Sequence, residues 1–279
     1  MSGCEGCNCG SRPDAAESRP LGTKRVTVFR YRPCSAVEQG STEPRGGEPW
    51  YDAFEVPYDT GTSVADALGW IKDNRDATLA FRVSCRMGIC GSCGLMVNGK
   101  PHLACETFLR DLPDEVTIAP LANLDVERDL IVDKEPFLAA LTEVKPWLMS
   151  AANADGFDTA LSENNRQTPA QMLDYQQFAQ CINCLLCYAA CPQVGFNRPF
   201  LGPAAITVAM RYSRDSRDHG TAQRLPALDA ESGVWPCTFV GACSTVCPKG
   251  VDPAAAVQLA KLVAAKARAT GLIKRKEKR

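Results

Sequence analysis

The chain has 279 residues, of which 45% are hydrophobic and 23% charged, and its formal net charge is -1. This length and composition allow a substantial core and two domains, and the balance of charge excludes a general electrostatic attraction to nucleic acid or acidic partners. No stretch approaches the roughly 18 apolar residues that a membrane-spanning helix needs, so contact with a membrane is expected only through a surface or a partner.

Cysteine is unusually frequent, with fifteen cysteines beside only two histidines. Because a charged and then apolar N-terminal signal is missing, this number indicates thiolate chemistry in a reducing compartment and argues against a secreted disulfide framework. The two histidines leave little scope for haem or a histidine-rich metal site. Their spacing excludes a Rieske cluster, which needs two histidine ligands.

The chain is predicted to begin with a flexible leader, residues 1–21, where Gly, Ser and Pro dominate and large apolar groups are almost absent. A small α+β domain is predicted from 22 to 130. Its elements are an opening hairpin in KRVTVFRY and AFEVPYD, a helix in SVADALGWIKD, and strands in TLAFRVSC, GLMV, PHLAC and VTIAPL.

The second domain, residues 131–279, is predicted to be all-α because the strand signals stop near 133. Three of its helices are expected to begin with proline at the first helical position, at Pro169, Pro203 and Pro253. Its cysteines then fall at helix ends and in the turns between helices.

The first cysteine group has the spacing of a plant-type 2Fe-2S protein, C-x4-C-x2-C followed by a later fourth cysteine. The predicted ligands are Cys85, Cys90, Cys93 and Cys105. Interleaved glycines at 88, 91 and 94 let the backbone curl around the cluster and direct N–H groups at its sulfurs. Zinc is the alternative occupant of four cysteines, but zinc sites usually repeat a CxxC pair.

The second group is C-x2-C-x2-C-x3-C-P, the run of bacterial ferredoxins, whose fourth cysteine binds the other cluster of a two-cluster protein. A partner run follows at residues 237–248, with Val240 in place of its second cysteine. Exchange of the fourth cysteines predicts a complete 4Fe-4S ligand set: Cys181, Cys184, Cys187 and Cys247. The other set has three members: Cys191, Cys237 and Cys243.

The three-ligand set predicts a 3Fe-4S cluster, because the aliphatic side chain of Val240 has no thiolate to hold a fourth iron. A 4Fe-4S cluster with water or hydroxide on that iron is the alternative. Four cysteines remain. Cys4, Cys7 and Cys9 could chelate a soft metal, and Cys34 is read as an ordinary thiol.

Catalytic motifs are missing from the sequence, which has no GxGxxG fingerprint, P-loop or Ser-His-Asp arrangement. Three clusters in one chain move single electrons over a distance, because tunnelling falls steeply with separation and needs closely spaced relays. Flavin and substrate chemistry must then come from other chains, so the protein is predicted to be one subunit of a complex.

Three segments resemble the iron-sulfur subunit of the succinate dehydrogenase and quinol:fumarate reductase family, above all that of bacterial fumarate reductases. They are SCRMGICGSCGLMVNGKPHLAC, CINCLLCYAACPQVGFNRPFLGPAAI and CTFVGACSTVCPKGVDPAAAVQ. The resemblance covers residues 22 to 270. It implies an N-terminal ferredoxin domain of β-grasp fold, followed by a helical bacterial-type ferredoxin domain.

The resemblance also implies the partners and the order of cofactors. A flavoprotein subunit with covalent FAD comes first, then the 2Fe-2S, 4Fe-4S and 3Fe-4S clusters, and last a quinone at membrane anchor subunits. The chain would be peripheral at the cytoplasmic face of the cell membrane. Electrons can flow in either direction, from quinol to fumarate or from succinate to quinone.

The quinone site implied by the family falls on Thr238, Phe239, Gln258 and Lys261. Without the resemblance, Thr238 could simply bond nearby backbone. Gln258 could be a surface amide, and Lys261 a solvated surface lysine. Ubiquinone-type relatives carry His at position 238 and Trp at position 196, whereas this chain has Thr238 and Phe196. Menaquinone is therefore the expected quinone. A free-standing soluble multi-cluster ferredoxin is the alternative function.

Overall fold

The computed structural model describes residues 20–33, 47–149 and 166–272. Most of the predicted leader, with Cys4, Cys7 and Cys9, lies outside these ranges, and so does Cys34.

A five-stranded sheet forms the first part of the described chain, in the order β2-β1-β5-β3-β4. The central pair, β1 and β5, is parallel, and the other pairs are antiparallel. A separate two-stranded sheet pairs β6 with β7. The strands are β1 (Gly22–Arg30), β2 (Trp50–Tyr58), β3 (Gly94–Val97), β4 (Lys100–Leu103), β5 (Glu115–Ala119), β6 (Val126–Arg128) and β7 (Ile131–Val132).

One helix, α1 (Val64–Asn74), packs on this sheet. It begins at Ser63, whose side chain and that of Asp66 form a reciprocal capping box that satisfies the free N–H groups of the first turn. Its apolar face buries Leu68 and Ile71. The predicted opening hairpin and the helix are confirmed.

The strand predicted in TLAFRVSC is wrong, because residues 78–85 form no ladder. The backbone groups of this segment find other partners. Ala80 N–H donates to the Asp129 carboxylate at 2.9 Å, and Ala80 C=O accepts from Leu130 N–H at 3.2 Å. The same buried Asp129 pairs with buried Arg30 at 3.0 Å. The segment is therefore a largely half-buried connection and not a sheet strand.

From residue 135 onward every element that the structure describes is a helix. Proline occupies the first helical position at Pro169, Pro203 and Pro253, as predicted. The helices are α2 (Glu135–Glu143), α3 (Pro169–Ala179), α4 (Leu186–Ala189), α5 (Pro192–Phe196), α6 (Pro203–Ser213), α7 (Thr221–Leu228), α8 (Ala242–Thr245) and α9 (Pro253–Ala269).

One hydrophobic cluster joins the sheet and the helices, and it includes Val28 and Leu95 from the sheet as well as Leu186 and Ile206 from the helices. Asn123 reinforces the junction, because its side-chain amide donates towards the carbonyls of Tyr188, Ala189 and Cys191 at 3.0–3.1 Å. Burial of these apolar side chains from both parts removes nonpolar surface from water and stabilises their contact.

Candidate metal centres

The first cysteine group is assembled by one loop and one hairpin. Residues 85–93 form the loop, and pairing of Gly94 with Leu103 in the β3–β4 hairpin brings Cys93 beside Cys105. The Sγ atoms of Cys93 and Cys105 are 3.3 Å apart, and Cys90 N–H donates to Cys85 Sγ at 3.3 Å. The structure therefore brings together the four cysteines predicted to bind 2Fe-2S.

The loop keeps its curl through left-handed backbone at Arg86, Gly88 and Gly91, with φ of 55°, 67° and 69°. Glycine adopts such φ values without steric cost. At Gly88 the Glu106 carboxylate lies within 2.7 Å of where a Cβ would be, so a side chain there would displace it.

The thiols of this loop differ in acidity. Hydrogen bonds from the Ser92 hydroxyl and neighbouring groups lower the pKa of the exposed Cys90 to about 6. Burial raises the pKa of Cys93 to about 11. Since the thiolate is the form that binds metal, a metal ion bound at Cys93 would compensate the buried charge, and its binding would release a proton.

The second group surrounds a small cavity whose lining includes Cys181, Cys184, Cys187 and Cys247. Helix α4 carries Cys187, and the turn after α8 carries Cys247. These four are the cysteines predicted to bind 4Fe-4S. The structure thus places the last cysteine of the second run with the first three of the first run.

Burial dominates the electrostatics of this cavity. It raises the pKa of Cys184 to about 11 and that of Cys187 well above its ordinary value, to which the charges of Cys184 and Cys181 add. Several thiolates in one buried cavity are unfavourable without a cation. The sulfur donors therefore suit a cationic iron cluster, which supplies the missing positive charge.

The third group consists of Cys191 at the start of α5, Cys237, and Cys243 in α8. Burial raises the pKa of Cys243, and the charges of Cys191 and Cys237 raise it further. Val240 lies between Cys237 and Cys243 with its side chain 63% exposed. Because residue 240 is a valine, it offers no sulfur to a cluster.

The predicted quinone residues gather around Cys237. Lys261 Nζ donates to Cys237 C=O at 2.7 Å, and Gln258 Nε2 lies 3.8 Å from Cys237 Sγ. Thr238 accepts a bond of 3.4 Å from the Gln193 side chain. Lys261 is thus a half-buried, bonded group and not a freely solvated surface lysine.

Exposed apolar side chains surround this end of the molecule. Phe239, between Cys237 and Cys243, is 60% exposed and has a left-handed φ of 60°. Phe196, at the end of α5, is also exposed. Single exposed apolar residues are common, but several near one site indicate an interaction surface.

The first and second groups are in direct contact, which the sequence did not reveal. A Cβ at Gly91 would lie 2.5 Å from Ile182 C=O, and one at Gly94 would lie 2.9 Å from Cys184 C=O. Glu106, which follows Cys105, pairs at 3.9 Å with Lys249, which follows Cys247 by two residues. No local sequence signal predicts these contacts, because each joins residues far apart in the chain.

Among residues 20–33, 47–149 and 166–272, no three His, Cys, Asp or Glu side chains converge closely enough to hold a single metal ion. Thiolates that bind different irons of one cluster are spread more widely than ligands of one ion. Within the same ranges no helix is long and apolar enough to cross a membrane.

Two family models match the chain. A 2Fe-2S iron-sulfur cluster binding domain matches residues 25–139, and a 4Fe-4S dicluster domain matches residues 177–251. Both matches contain the corresponding cysteine groups described above.

Curated relatives match along nearly their whole length. The fumarate reductase iron-sulfur subunit of Haemophilus influenzae is 51% identical over 257 residues, 90% of this chain and 96% of the relative. That of Mycobacterium tuberculosis is 50% identical over 86% of this chain and 92% of the relative. The succinate dehydrogenase iron-sulfur subunit of Paracoccus denitrificans is 35% identical over 84% and 85%.

Among solved structures, a chain of the Mycobacterium smegmatis Sdh1 complex in the apo form is similar to this fold. Its TM-score is 0.71 at 23% sequence identity, and the match covers 89% of this chain and 98% of that chain.

Proposed function

The chain belongs to the family of iron-sulfur subunits of fumarate reductase and succinate dehydrogenase, and from this membership we propose how its residues serve electron transfer in that membrane-bound oxidoreductase. Dicarboxylate chemistry resides in a partner flavoprotein that carries FAD. This chain relays electrons between that FAD and menaquinone at a membrane anchor. It lies peripherally at the cytoplasmic face of the membrane.

The first domain, residues 22–130, is assigned a β-grasp fold and holds the 2Fe-2S cluster through Cys85, Cys90, Cys93 and Cys105. The parallel pairing of β1 with β5 beside the antiparallel hairpin β3–β4, with α1 on the sheet, supports this assignment. The proximity of Cys93 to Cys105 supports a shared iron for that pair, since thiolates on one iron must be close together.

The second domain, residues 131–279, is assigned an all-α ferredoxin fold with two ligand sets. Cys181, Cys184, Cys187 and Cys247 hold 4Fe-4S, and the cavity that these four line supports the assignment. Cys191, Cys237 and Cys243 hold 3Fe-4S, and the exposed aliphatic side chain at Val240 supports a three-iron form. When bound, the clusters supply one-electron chemistry that protein side chains cannot.

The observation that carries the proposal is the contact between the first two ligand groups. At Gly91 and Gly94 the loop that carries Cys90 and Cys93 touches the backbone at Ile182 and Cys184 with no side chain between them. Electron tunnelling weakens steeply with distance. A chain that packs two ligand loops this closely is suited to pass electrons between them.

The quinone site is assigned to Thr238, Phe239, Gln258 and Lys261. Lys261 already donates to the carbonyl of a cluster-ligand residue, and its ammonium can stabilise charge that develops on a quinone oxygen. Gln258, three residues earlier on α9, contacts the same cysteine. Thr238 together with Phe196 favours menaquinone.

Lys261→Ala tests this function in the complete enzyme. We expect at least a tenfold loss of menaquinol-linked fumarate reduction, while succinate oxidation by an artificial acceptor at the flavin remains. Lys266→Ala, which removes an exposed lysine from the same helix, is the control and should keep both activities. Equal loss in both assays would remove Lys261 from the quinone site. Purification of the native protein without a flavoprotein or membrane subunit would instead favour a free-standing ferredoxin.

A further inference from the structure

A small cavity lies beside the loop that carries Cys90 and Cys93. Its lining includes Ser92 and Gly94, which flank Cys93 on either side, and two basic residues, Arg82 and Lys134. Gly94 is also the residue in contact with Cys184 C=O. The cavity therefore adjoins the ligand loop of the proposed 2Fe-2S cluster, and Gly94 connects it to the ligand segment of the proposed 4Fe-4S cluster.

The two basic residues of this cavity differ in their partners. The Arg82 guanidinium donates to Val132 C=O at 3.2 Å and pairs with Glu127 at 3.5 Å. Lys134 is half-buried at the start of α2. Its ammonium makes no hydrogen bond or ion pair with any residue that the structure describes. Within the described ranges, no carboxylate forms an ion pair with the ammonium of Lys134.

The charges that act on Lys134 come from both ligand groups. Burial and then the charge of Arg82 lower the pKa of Lys134, whereas the thiols of Cys184, Cys90 and Cys93 act to raise it. Cys90 and Cys93 belong to the first group, and Cys184 belongs to the second. The lysine thus lies within electrostatic reach of both.

We propose that Lys134 is a fixed positive charge that raises the reduction potentials of the 2Fe-2S and 4Fe-4S clusters. This inference rests on the ligand sets proposed above. Each one-electron reduction adds one negative charge to a cluster, and no bond to Lys134 forms or breaks. A nearby, partly buried cation stabilises the reduced form because the surroundings screen it less than bulk water does.

The test is Lys134→Met in the assembled enzyme, followed by EPR-monitored redox titration of all three clusters. We expect the equilibrium constants for reduction of the 2Fe-2S and 4Fe-4S clusters to fall by about tenfold, which is 59 mV for one electron. The potential of the 3Fe-4S cluster should change much less. Lys134→Arg, which keeps the charge, should restore the wild-type values.

Two further variants make the result decisive. Lys134→Gln removes the charge with a polar side chain, so the same shift is expected even if methionine disturbs the packing. Lys266→Met removes an equal charge from an exposed site on α9 and should leave the first two potentials unchanged. Three outcomes would overturn the role of Lys134. The potentials could stay unchanged in Lys134→Met, or all three clusters could shift equally. The third is a shift in Lys134→Arg as large as in Lys134→Met.

Failure of this inference is distinguishable from failure of the proposed function. If the wild-type enzyme lacks the three EPR signals, the ligand assignment is wrong. If the signals are present and their potentials ignore the charge at position 134, only the role of Lys134 is wrong.

Discussion

The two halves of the molecule assemble their cysteine groups in opposite ways. In the sheet half, a single stretch of chain from 85 to 105 brings all four cysteines together through one loop and the β3–β4 hairpin. In the helical half, two segments near 181–191 and 237–247 combine, and α6 and α7 lie between them in the chain. The first arrangement is local and the second depends on long-range packing.

This difference predicts how each half fails. A loop that is closed by a hairpin keeps its cysteines together as long as the local strands persist. A cavity shared by two distant segments is lost when either segment moves, because bringing distant residues together must overcome the entropy of loop closure. Damage to the helical packing should therefore release two clusters together and spare the first.

The largest loss of stability is expected from Arg224→Met. Arg224 and Asp218 form an ion pair in which both side chains are fully buried, and Arg224 also donates to the carbonyls of Lys145 and Trp147. Although burial acts to raise the pKa of Asp218, bonds from Arg224, Met149 N–H and Gly220 N–H hold it below its ordinary value. Loss of one partner should cost about 3–5 kcal/mol of stability.

The measurement is EPR of the three clusters during thermal unfolding. Signals assigned to the helical half should disappear together at a lower temperature than the 2Fe-2S signal. Arg214→Met removes the exposed pair with Asp174 and should cost no more than about 1 kcal/mol. Simultaneous loss of all three signals in Arg224→Met would show that the halves do not fail separately.

Gly91→Ala should have the next largest effect, because it acts on the contact between the halves. A Cβ there would lie 2.5 Å from Ile182 C=O, and the residue has a φ of 69°. The left-handed backbone alone costs alanine roughly 1–2 kcal/mol, and the clash must in addition push the ligand loops apart. Magnetic coupling between the first two clusters, measured by EPR relaxation, should weaken.

Gly99→Ala is the matched control for this change. Gly99 has a φ of 76°, but nothing lies within 4 Å of where its Cβ would be. It should therefore lose similar backbone stability and keep the magnetic coupling. If Gly91→Ala and Gly99→Ala behave alike, close packing at Gly91 does not set the spacing of the clusters.

Val240→Cys should affect one cluster only. A thiolate at this exposed position can bind a fourth iron, so the three-iron EPR signal of the oxidised protein should disappear while the other two signals remain. Val240→Ala supplies no sulfur and should keep the three-iron signal. Persistence of that signal in Val240→Cys would contradict the exchange of fourth cysteines between the two runs.

Glu106→Gln should cause the smallest loss of stability. The pair with Lys249 joins the halves, but its atoms are 3.9 Å apart and Glu106 is 41% exposed, so it should contribute no more than about 1 kcal/mol. The loss in melting temperature should shrink at high salt because mobile ions screen exposed charges. A large effect that is independent of salt would mean that the pair holds the halves together.

Much of the local structure followed from sequence patterns. The prolines that start α3, α6 and α9 were predictable because a helix start depends on residues within one turn. The segment 78–85 was mistaken for a strand because the prediction rested on its local apolar pattern. Such a pattern does not report whether another strand lies alongside, and here Asp129 and Leu130 satisfy the backbone instead.

The cysteine spacings by themselves determined the grouping of eleven cysteines into three predicted ligand sets, since the ligand pattern of a cluster is short and rigid. The packing of distant segments decided everything that joins those sets. The contact of Gly91 with Ile182, the bond from Lys261 to Cys237 and the cavity that contains Lys134 all connect residues far apart in the chain. No local pattern encodes such contacts, because they arise only when the sheet and the helices share one core.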